Sequence, residues 1–393
     1  MKIAVIGAKG IPPKQGGIEH ICAEVYPRMV AKGHTVDLFA RSSYTDFSAF
    51  HNYEFEGVRV ISLPCLGMRG LDAFSSSAMG AALTGRGGYD IIHFHALGPS
   101  LFTGLPKIST SSKVVVTCNG LDWQRDKWGK TSSRLIQLGE KAAVRFADEF
   151  IVVTEALRSY FLQTYGRDTV VIPNAPATYA SSDPTFSYSK SLGLTPGKYV
   201  VYVGRLVPEK CPDLLLRAFQ SLRLQDWKLV IIGGNSDTSA FVSSLNDLAK
   251  DDPNVVFAGE LRGSRLAEIV RGAGLFSLPS NLEGLPLAML EAMQEGIPIV
   301  ASNIPPHQEL LNNGRGILFQ AGDETSFAKS LNWAIQHPED MKVMAQKAQK
   351  HVGLYYTWDR IVDDTLEVFE KALNRQNSWR EKSRAMTQTV EVD

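Results

Sequence analysis

The chain is short of cysteine, of net charge and of long apolar runs. Its 393 residues include four cysteines, Cys22, Cys65, Cys118 and Cys211, with no CxxC spacing among them. That argues against a disulfide framework or a structural zinc site and fits a reducing cytoplasm. Forty-one Lys and Arg balance 41 Asp and Glu, which argues against a nucleic-acid binder. No stretch approaches the roughly 20 apolar residues that a membrane span needs. The opening "MKIAVIGAKGIPP" reads as a first strand rather than a signal peptide. Short-period repeats and low-complexity tracts are also missing. What remains is an ordinary globular composition, 44% apolar and 21% charged, long enough for two or three domains. One tilt stands out. Residues 1–180 carry 19 Lys and Arg against 15 Asp and Glu, a hint that the first half meets something anionic.

The order of patterns predicts an α/β protein. "KIAVIGA" is a buried-strand run, followed by a glycine-containing loop, a helical stretch and the strand "HTVDLFAR". Further β-rich runs, "YDIIHFHA", "KVVVTCNG", "EFIVVTEA" and "TVVIPNA", complete a first doubly wound domain. Residues 174–197 are rich in Ser, Thr, Pro and Ala and read as a linker. The pattern then restarts: "KYVVYVGR", "WKLVIIGG", "NVVFAGE", "GLFSLPS", "PIVAS" and "GILFQ" alternate with helical stretches. "WDRIVDDTLEVFEKAL" has helical spacing, and the polar chain after Asn374 reads as frayed. The expected division is 1–178, joined by a C-terminal helix 356–393, and 190–355. Each half is a Rossmann-like β/α/β domain, and ligands of open parallel sheets bind at the carboxyl ends of the strands.

Two motifs lie at such ends. "SNLEGLPLAMLEAMQEG" places Glu283 in the loop after a predicted strand, just ahead of a helix that Pro286 would start. A helix N-terminus attracts anions, so a carboxylate beside it suits sugar hydroxyls. Glu291, about a turn and a half into the helix, would reach a second hydroxyl set. The pattern fits a nucleotide-sugar; it also fits a helix-start charge and a solvated face. "VGRLVPEKCPDLL" supplies Arg205 and Lys210, two cations that would neutralise a diphosphate, or merely flank a turn.

Together, "GRLVPEK…DLLLRAF" and "LPSNLEGLPLAMLEAMQEGIPIVAS" resemble the donor half of glycosyltransferase family 4, with its Glu-x7-Glu motif. The resemblance covers nearly the whole chain. It implies the GT-B fold, two Rossmann-like domains facing across a cleft, and retaining transfer from a nucleotide-sugar without a metal or other cofactor. It further implies that Arg205 and Lys210 hold the donor diphosphate, with Gly284 and Leu285 beside them. Glu283 would meet the transferred sugar, Glu291 the ribose, and the backbone near Leu261 the base.

In the first half, "GAKGIPPKQGGIEH" has the wrong spacing for a dinucleotide fingerprint. Gly16 and Gly17 let backbone amides approach a phosphate, though such turns are often only structural. The resemblance matches Gly16, Gly17 and Glu19 to a GG-x-E loop that closes over the donor phosphate, with Glu19 reaching towards the acceptor. "HFH" sets His93 and His95 on one face of a strand. Zinc would need a third ligand cluster, and none is visible. One core and one functional histidine is the simpler reading, and the resemblance favours His95 at the reaction centre. "GKT" at Gly129–Thr131 is not a Walker A loop, because Gln124 stands where glycine is required. The surrounding "GLDWQRDKW" resembles a rhamnosyltransferase-like bacterial subgroup of the family. Asn119 stands where many relatives have histidine, which puts acid–base work at that position in doubt.

Asn119, Asp122, Trp123 and Arg125 are the candidate acceptor contacts. Trp123, Trp128, Arg125, Lys127, Lys130, Arg134, Lys141 and Arg145 make a basic-aromatic segment. It suits either a lipid-linked pyrophosphate at a membrane surface or a solvated face over buried tryptophans. Ala175 and Cys211 replace glycines of many relatives and read as conservative in size. The expected activity is hexosyl transfer, UDP-sugar first, to a saccharide or lipid-linked acceptor in bacterial polysaccharide assembly. The protein is expected in the cytoplasm, at the inner face of the membrane or free of it, with no nucleic-acid partner. The alternatives are a sugar-nucleotide epimerase on the same fold and a non-catalytic nucleotide-sugar binding protein.

Overall fold

A computed structural model describes residues 1–14, 16–66, 71–124, 129–234, 239–250 and 252–390, with side chains to 374. The chain divides into two compact units. Met1–Gln124 and 129–174 form the first with the helix that begins at Trp358, and Ala175–Thr357 form the second.

The first unit is built on β1 (Lys2–Ile6), α1 (Gly17–Ala31), β2 (Thr35–Arg41), β3 (Asn52–Phe55), β4 (Val58–Leu63), α2 (Leu71–Leu83) and β5 (Ile91–His95). It continues through α3 (Gly104–Ser109), β6 (Lys113–Cys118), α4 (Lys130–Phe146), β7 (Glu149–Val152), α5 (Glu155–Tyr165) and β8 (Val170–Val171). The eight strands run in the order β3-β4-β2-β1-β5-β6-β7-β8. All pairs are parallel except β3–β4. That hairpin was not expected. Its turn uses Glu56 and Gly57, both at positive φ, as a tight hairpin requires. Its outer strand is too polar, "NYEF", to signal itself by periodicity. Every β5 side chain is buried, the mark of a strand covered on both faces.

The second unit follows as α6 (Ser187–Ser191), β9 (Tyr199–Val203), α7 (Pro212–Ser221), β10 (Lys228–Ile232), α8 (Ser239–Leu248), β11 (Val255–Gly259) and α9 (Gly263–Arg271). Then come β12 (Leu275–Leu278), α10 (Leu287–Gln294), β13 (Ile299–Ser302), α11 (Pro305–Leu311), β14 (Ile317–Phe319), α12 (Glu324–Gln336) and α13 (Pro338–Tyr355). Its six strands, in the order β11-β10-β9-β12-β13-β14, are all parallel.

The last helix, α14 (Trp358–Val390), packs on α1 and over β6 and β7 of the first unit. It starts two residues later than expected, and it continues past Asn374 where fraying was expected. The linker is likewise not featureless, because it contains α6.

Candidate active site

In the second unit, the loops after β9 and β12 meet. Gly204 and Gly233 end β9 and β10 so closely that a Cβ on Gly233 would lie 2.0 Å from the Gly204 carbonyl oxygen. Beyond Gly204, the Tyr202 hydroxyl donates to the Arg205 carbonyl at 2.9 Å. A 3-10 turn, Pro208–Lys210, then leads into α7 through Cys211. Cys211 sits at φ 50, ψ 42. This corrects the reading of Cys211 as a matter of size. The position is left-handed, and glycine is the residue that adopts it without strain.

The turn aims Lys210 at Glu283. Lys210 Nζ donates to Glu283 Oε1 at 2.6 Å, and Ser280 Oγ donates to the same oxygen at 2.7 Å. The Glu283 side chain is 7% exposed and that of Lys210 17%. The Asn281 amide donates to the Glu209 carbonyl at 2.9 Å and staples the two loops. Burial, the largest single influence, pushes the Glu283 carboxyl up, but the Lys210 ammonium leads the opposing influences, the Ser280 hydroxyl among them, that together hold the pKa below the ordinary value. Buried His307 is depressed to about 4 by desolvation, so it is neutral near pH 7 and Lys210 is the cation that matters. His307 Nδ1 faces the Ser302 carbonyl at 2.9 Å, and Ser302 Oγ donates to the Ser280 carbonyl. This chain of contacts braces the glutamate loop from behind.

Glu291 is in a different state. Tyr179, from the linker, donates to its Oε2 at 3.1 Å. Burial raises its pKa to about 7, against the opposing bonds from Tyr179 and the Ala177 backbone. The two glutamates are thus pushed apart, one firmly ionised and one poised near neutrality. Gly284 and Leu285 follow Glu283 into α10. Pro286 is the N-cap rather than the first helical residue, and no side chain caps the helix. Its first-turn amides therefore face anions without a competing carboxylate cap. Arg205 is over a third exposed and lies 3.9 Å from buried Glu209. Leu261 follows β11, half-buried.

The candidate residues of the first unit have more varied surroundings. Gly16, at φ 102, is the N-cap of α1, and Gly17 is its first residue. A Cβ on Gly16 would lie 2.1 Å from Glu19 Oε2. Glu19 is 4% exposed, and its Oε1 accepts from the Lys9 amide at 2.8 Å. The carboxylate expected to face an acceptor is instead committed to closing its own loop.

The expected division into one core and one functional histidine does not show as a difference in burial between His93 and His95. Both are buried, and the Tyr26 hydroxyl lies 2.9 Å from His93 Nδ1 and 2.6 Å from His95 Nε2. The His93 ring rests edge-on against Phe369 of α14. Desolvation lowers both pKa values, that of His95 to about 4. Two side chains on one strand face sink into one core, so His95 is a packed neutral histidine, whose Nδ1 has no partner among the described residues.

Asn119 accepts from Asn174 Nδ2 at 3.4 Å, and its own buried Nδ2 has no partner among the described residues. Asp122 and Trp123 lie in a 3-10 turn, Asp122–Gln124. Trp123 Nε1 donates to Glu140 Oε2 at 2.8 Å, and Tyr160 and Tyr165 donate to Oε1. Arg125, Lys127 and Trp128 lie outside the described residues.

The arrangement thus gathers Lys210, Glu283 and the N-terminus of α10 in one place, with Glu291 on that same helix. Ser280, His307, Tyr179 and Glu140 were missed. Only Ser280, three residues before Glu283, had a local signal.

Comparison with known proteins agrees with a two-unit sugar-transfer enzyme. The model described as "Glycosyl transferases group 1" matches residues 186–351, and "Glycosyltransferase Family 4" matches 15–176. The D-inositol 3-phosphate glycosyltransferase of Gordonia bronchialis is 26% identical over 91% of this chain and 84% of its own length. That of Rhodococcus erythropolis is 30% identical over 62% of this chain and 58% of its own length. Among solved structures, sucrose-phosphate synthase from Thermosynechococcus elongatus superposes with a TM-score of 0.77 at 20% identity. It covers 98% of this chain and 99% of that one. Anabaena HepE, crystallised with UDP and glucose, also gives 0.77 at 20% identity, over 94% of this chain and all of its own.

Proposed function

Because the chain belongs to glycosyltransferase family 4 and has its GT-B fold, we propose that it moves a hexosyl group from a UDP-sugar to a hydroxyl of a lipid-linked saccharide, retaining anomeric configuration and using no metal. The observation that carries this reading is the buried Lys210–Glu283 pair ahead of the uncapped α10. An ammonium beside a helix N-terminus receives a diphosphate. An ionised, buried carboxylate with free lone pairs receives sugar hydroxyls. Glu291 takes the ribose, and the backbone at Leu261 takes the base.

In the reaction, the acceptor oxygen attacks the anomeric carbon from the face that the nucleotide leaves. The bond from that carbon to the phosphate oxygen breaks, and the acceptor proton passes to the departing oxygen. Arg205, Lys210 and the amides of Gly284 and Leu285 stabilise the charge that develops there. They do the neutralising that a divalent ion would otherwise do. A UDP donor is supported by the UDP and glucose bound in HepE. A lipid-linked acceptor and work at the cytoplasmic membrane surface are supported by the basic helix α4 beside Trp123, and a place in polysaccharide assembly by the resemblance of "GLDWQRDKW" to the rhamnosyltransferase-like subgroup.

The test is calorimetric titration with UDP, GDP, dTDP and ADP in EDTA, with Lys210→Ala as control. Tight binding of UDP, lost in the variant, is the expected result. Binding only after a divalent metal is added refutes the charge argument. Magnetic resonance of the product then reads the anomeric outcome.

A further inference from the structure

The chain that leads from Ala175 to α6 is tied down by side chains of α9 and α10. Arg271 is the last residue of α9. Its Nη1 donates to the Ala180 carbonyl at 2.7 Å and to Ser182 Oγ at 2.9 Å. Its Nε and Nη2 donate to the two carboxylate oxygens of Glu295 at 2.8 and 3.0 Å, the two-pronged grip of a guanidinium. Glu295 is the C-cap of α10, one helical turn beyond Glu291 and on the same face. Linker, α9 and α10 are thereby fixed to one another, with the Tyr179 hydroxyl set on Glu291.

That contact differs in kind from the one at Glu283. Glu283 is answered by an ammonium. Glu291 has no ion-pair partner among the described residues, and the guanidinium that holds the linker is spent on Glu295. The side chain that donates to Glu291 is a phenol. Burial first, and then the Glu291 carboxylate, push the Tyr179 pKa far above its ordinary value, so the hydroxyl keeps its proton. Glu295 and Arg271 are the other charged groups that act on it. A phenol fixes a carboxylate through one bond to one oxygen. Unlike an ammonium, it leaves the charge in place for further neutral donors. The terminal torsion of a glutamate is otherwise broad, so a tether at Oε2 gives the other oxygen a direction.

We propose that Tyr179 is a positioning residue of the donor site, holding Glu291 in the orientation that accepts ribose hydroxyls, and that Arg271 acts through it by clamping the linker. The inference rests on the functional reading above, in which Glu291 takes the ribose, and it makes the linker a working part of that site. Part of the affinity for a nucleotide then comes from preorganisation of the carboxylate.

The experiment is calorimetric titration of the full chain with UDP and with inorganic pyrophosphate, which shares the diphosphate and has no ribose. Tyr179→Phe keeps the ring and removes the donor. It should weaken UDP roughly tenfold and leave pyrophosphate binding unchanged. Arg271→Gln releases the linker and should weaken UDP in the same direction. Added to Tyr179→Phe it should cost little more, because the two act through one contact. The proton count separates positioning from packing. Wild-type Glu291, with its pKa at about 7, is mostly ionised at pH 7.5, so UDP binding there expels few protons. Without the phenol the free carboxyl keeps its proton to higher pH. Proton release at pH 7.5, read from the enthalpies in two buffers of different ionisation heat, should therefore grow in Tyr179→Phe. Unchanged UDP affinity in that variant, an equal loss of pyrophosphate, or unchanged proton release overturns the proposal. Wild-type protein that binds no UDP refutes the functional reading instead.

Discussion

Replacing Lys210 by methionine leaves a carboxylate stranded. Glu283 would keep the Ser280 hydroxyl but lose the ammonium that does most to offset its burial. Removing one partner of a fully buried pair costs about 3–5 kcal/mol. Lys210 retains some exposure, so a loss of about 2–3 kcal/mol is the reasonable expectation here. The sign depends on pH. In the wild type the Glu283 pKa is lowered on folding. The pair therefore contributes its full stability above the unfolded carboxyl value and loses it as pH falls through the folded one. In the variant burial is opposed mainly by the Ser280 hydroxyl bond and raises that pKa, so destabilisation should grow as pH rises from about 4.5. Urea melts of both proteins at pH 7.5 and pH 4.5 measure this. The gap should be wide at pH 7.5 and much narrower at pH 4.5. Glu283→Gln should restore part of the loss when added to Lys210→Met, because it removes the unpaired charge. The reasoning is refuted if Lys210→Met is as stable as wild type at pH 7.5, or if the gap is the same at both pH values.

Arg205→Ala should lower turnover about 10²–10³-fold with a smaller change in donor KM, judged by comparable electrostatic sites; near-normal turnover in a steady-state assay removes Arg205 from the mechanism. Glu291 titrates near pH 7, and ribose hydroxyls donate more strongly to its ionised form. UDP binding at pH 6.5 should therefore release protons, seen as different calorimetric enthalpies in phosphate and Tris. Glu291→Gln should reduce that difference, whereas an unchanged difference contradicts the assignment. On folding alone the sign is opposite to that of Glu283, since a raised carboxyl pKa makes this group's contribution fall as pH rises from about 4.5 through 7. Gly233→Ala drives a methyl into the Gly204 carbonyl and should cost at least about 1–3 kcal/mol; a thermal melt matching wild type contradicts that packing.

The parallel sheets were legible because their strands are short, continuous apolar runs bounded by glycine, as in "KYVVYVGR" and "WKLVIIGG". β3 was not, since an edge strand with one wet face need not be apolar. Within the site, Glu283 and Lys210 were readable from their places after strands. Their mutual contact was not, because it joins loops 73 residues apart. Glu19 and His95 show the converse. The residue types were noticed, but their partners, the Lys9 amide and the Tyr26 hydroxyl, are supplied by folding and leave no spacing in the sequence. Cys211 shows a third kind of blindness, in which a backbone angle rather than a side chain decides what a substitution means.

The return of α14 to the first unit has a consequence for synthesis. His93 emerges early from the ribosome, yet Phe369, against which it rests, is made only after the whole second unit. At about 5–20 residues per second, the stretch from Asn174 to Phe369 takes roughly 10–40 s. During that interval α1, β6 and β7 lack the helix that covers them. The unit that starts first therefore finishes last, and a nascent chain truncated before Trp358 should display a sticky apolar face that chaperones recognise.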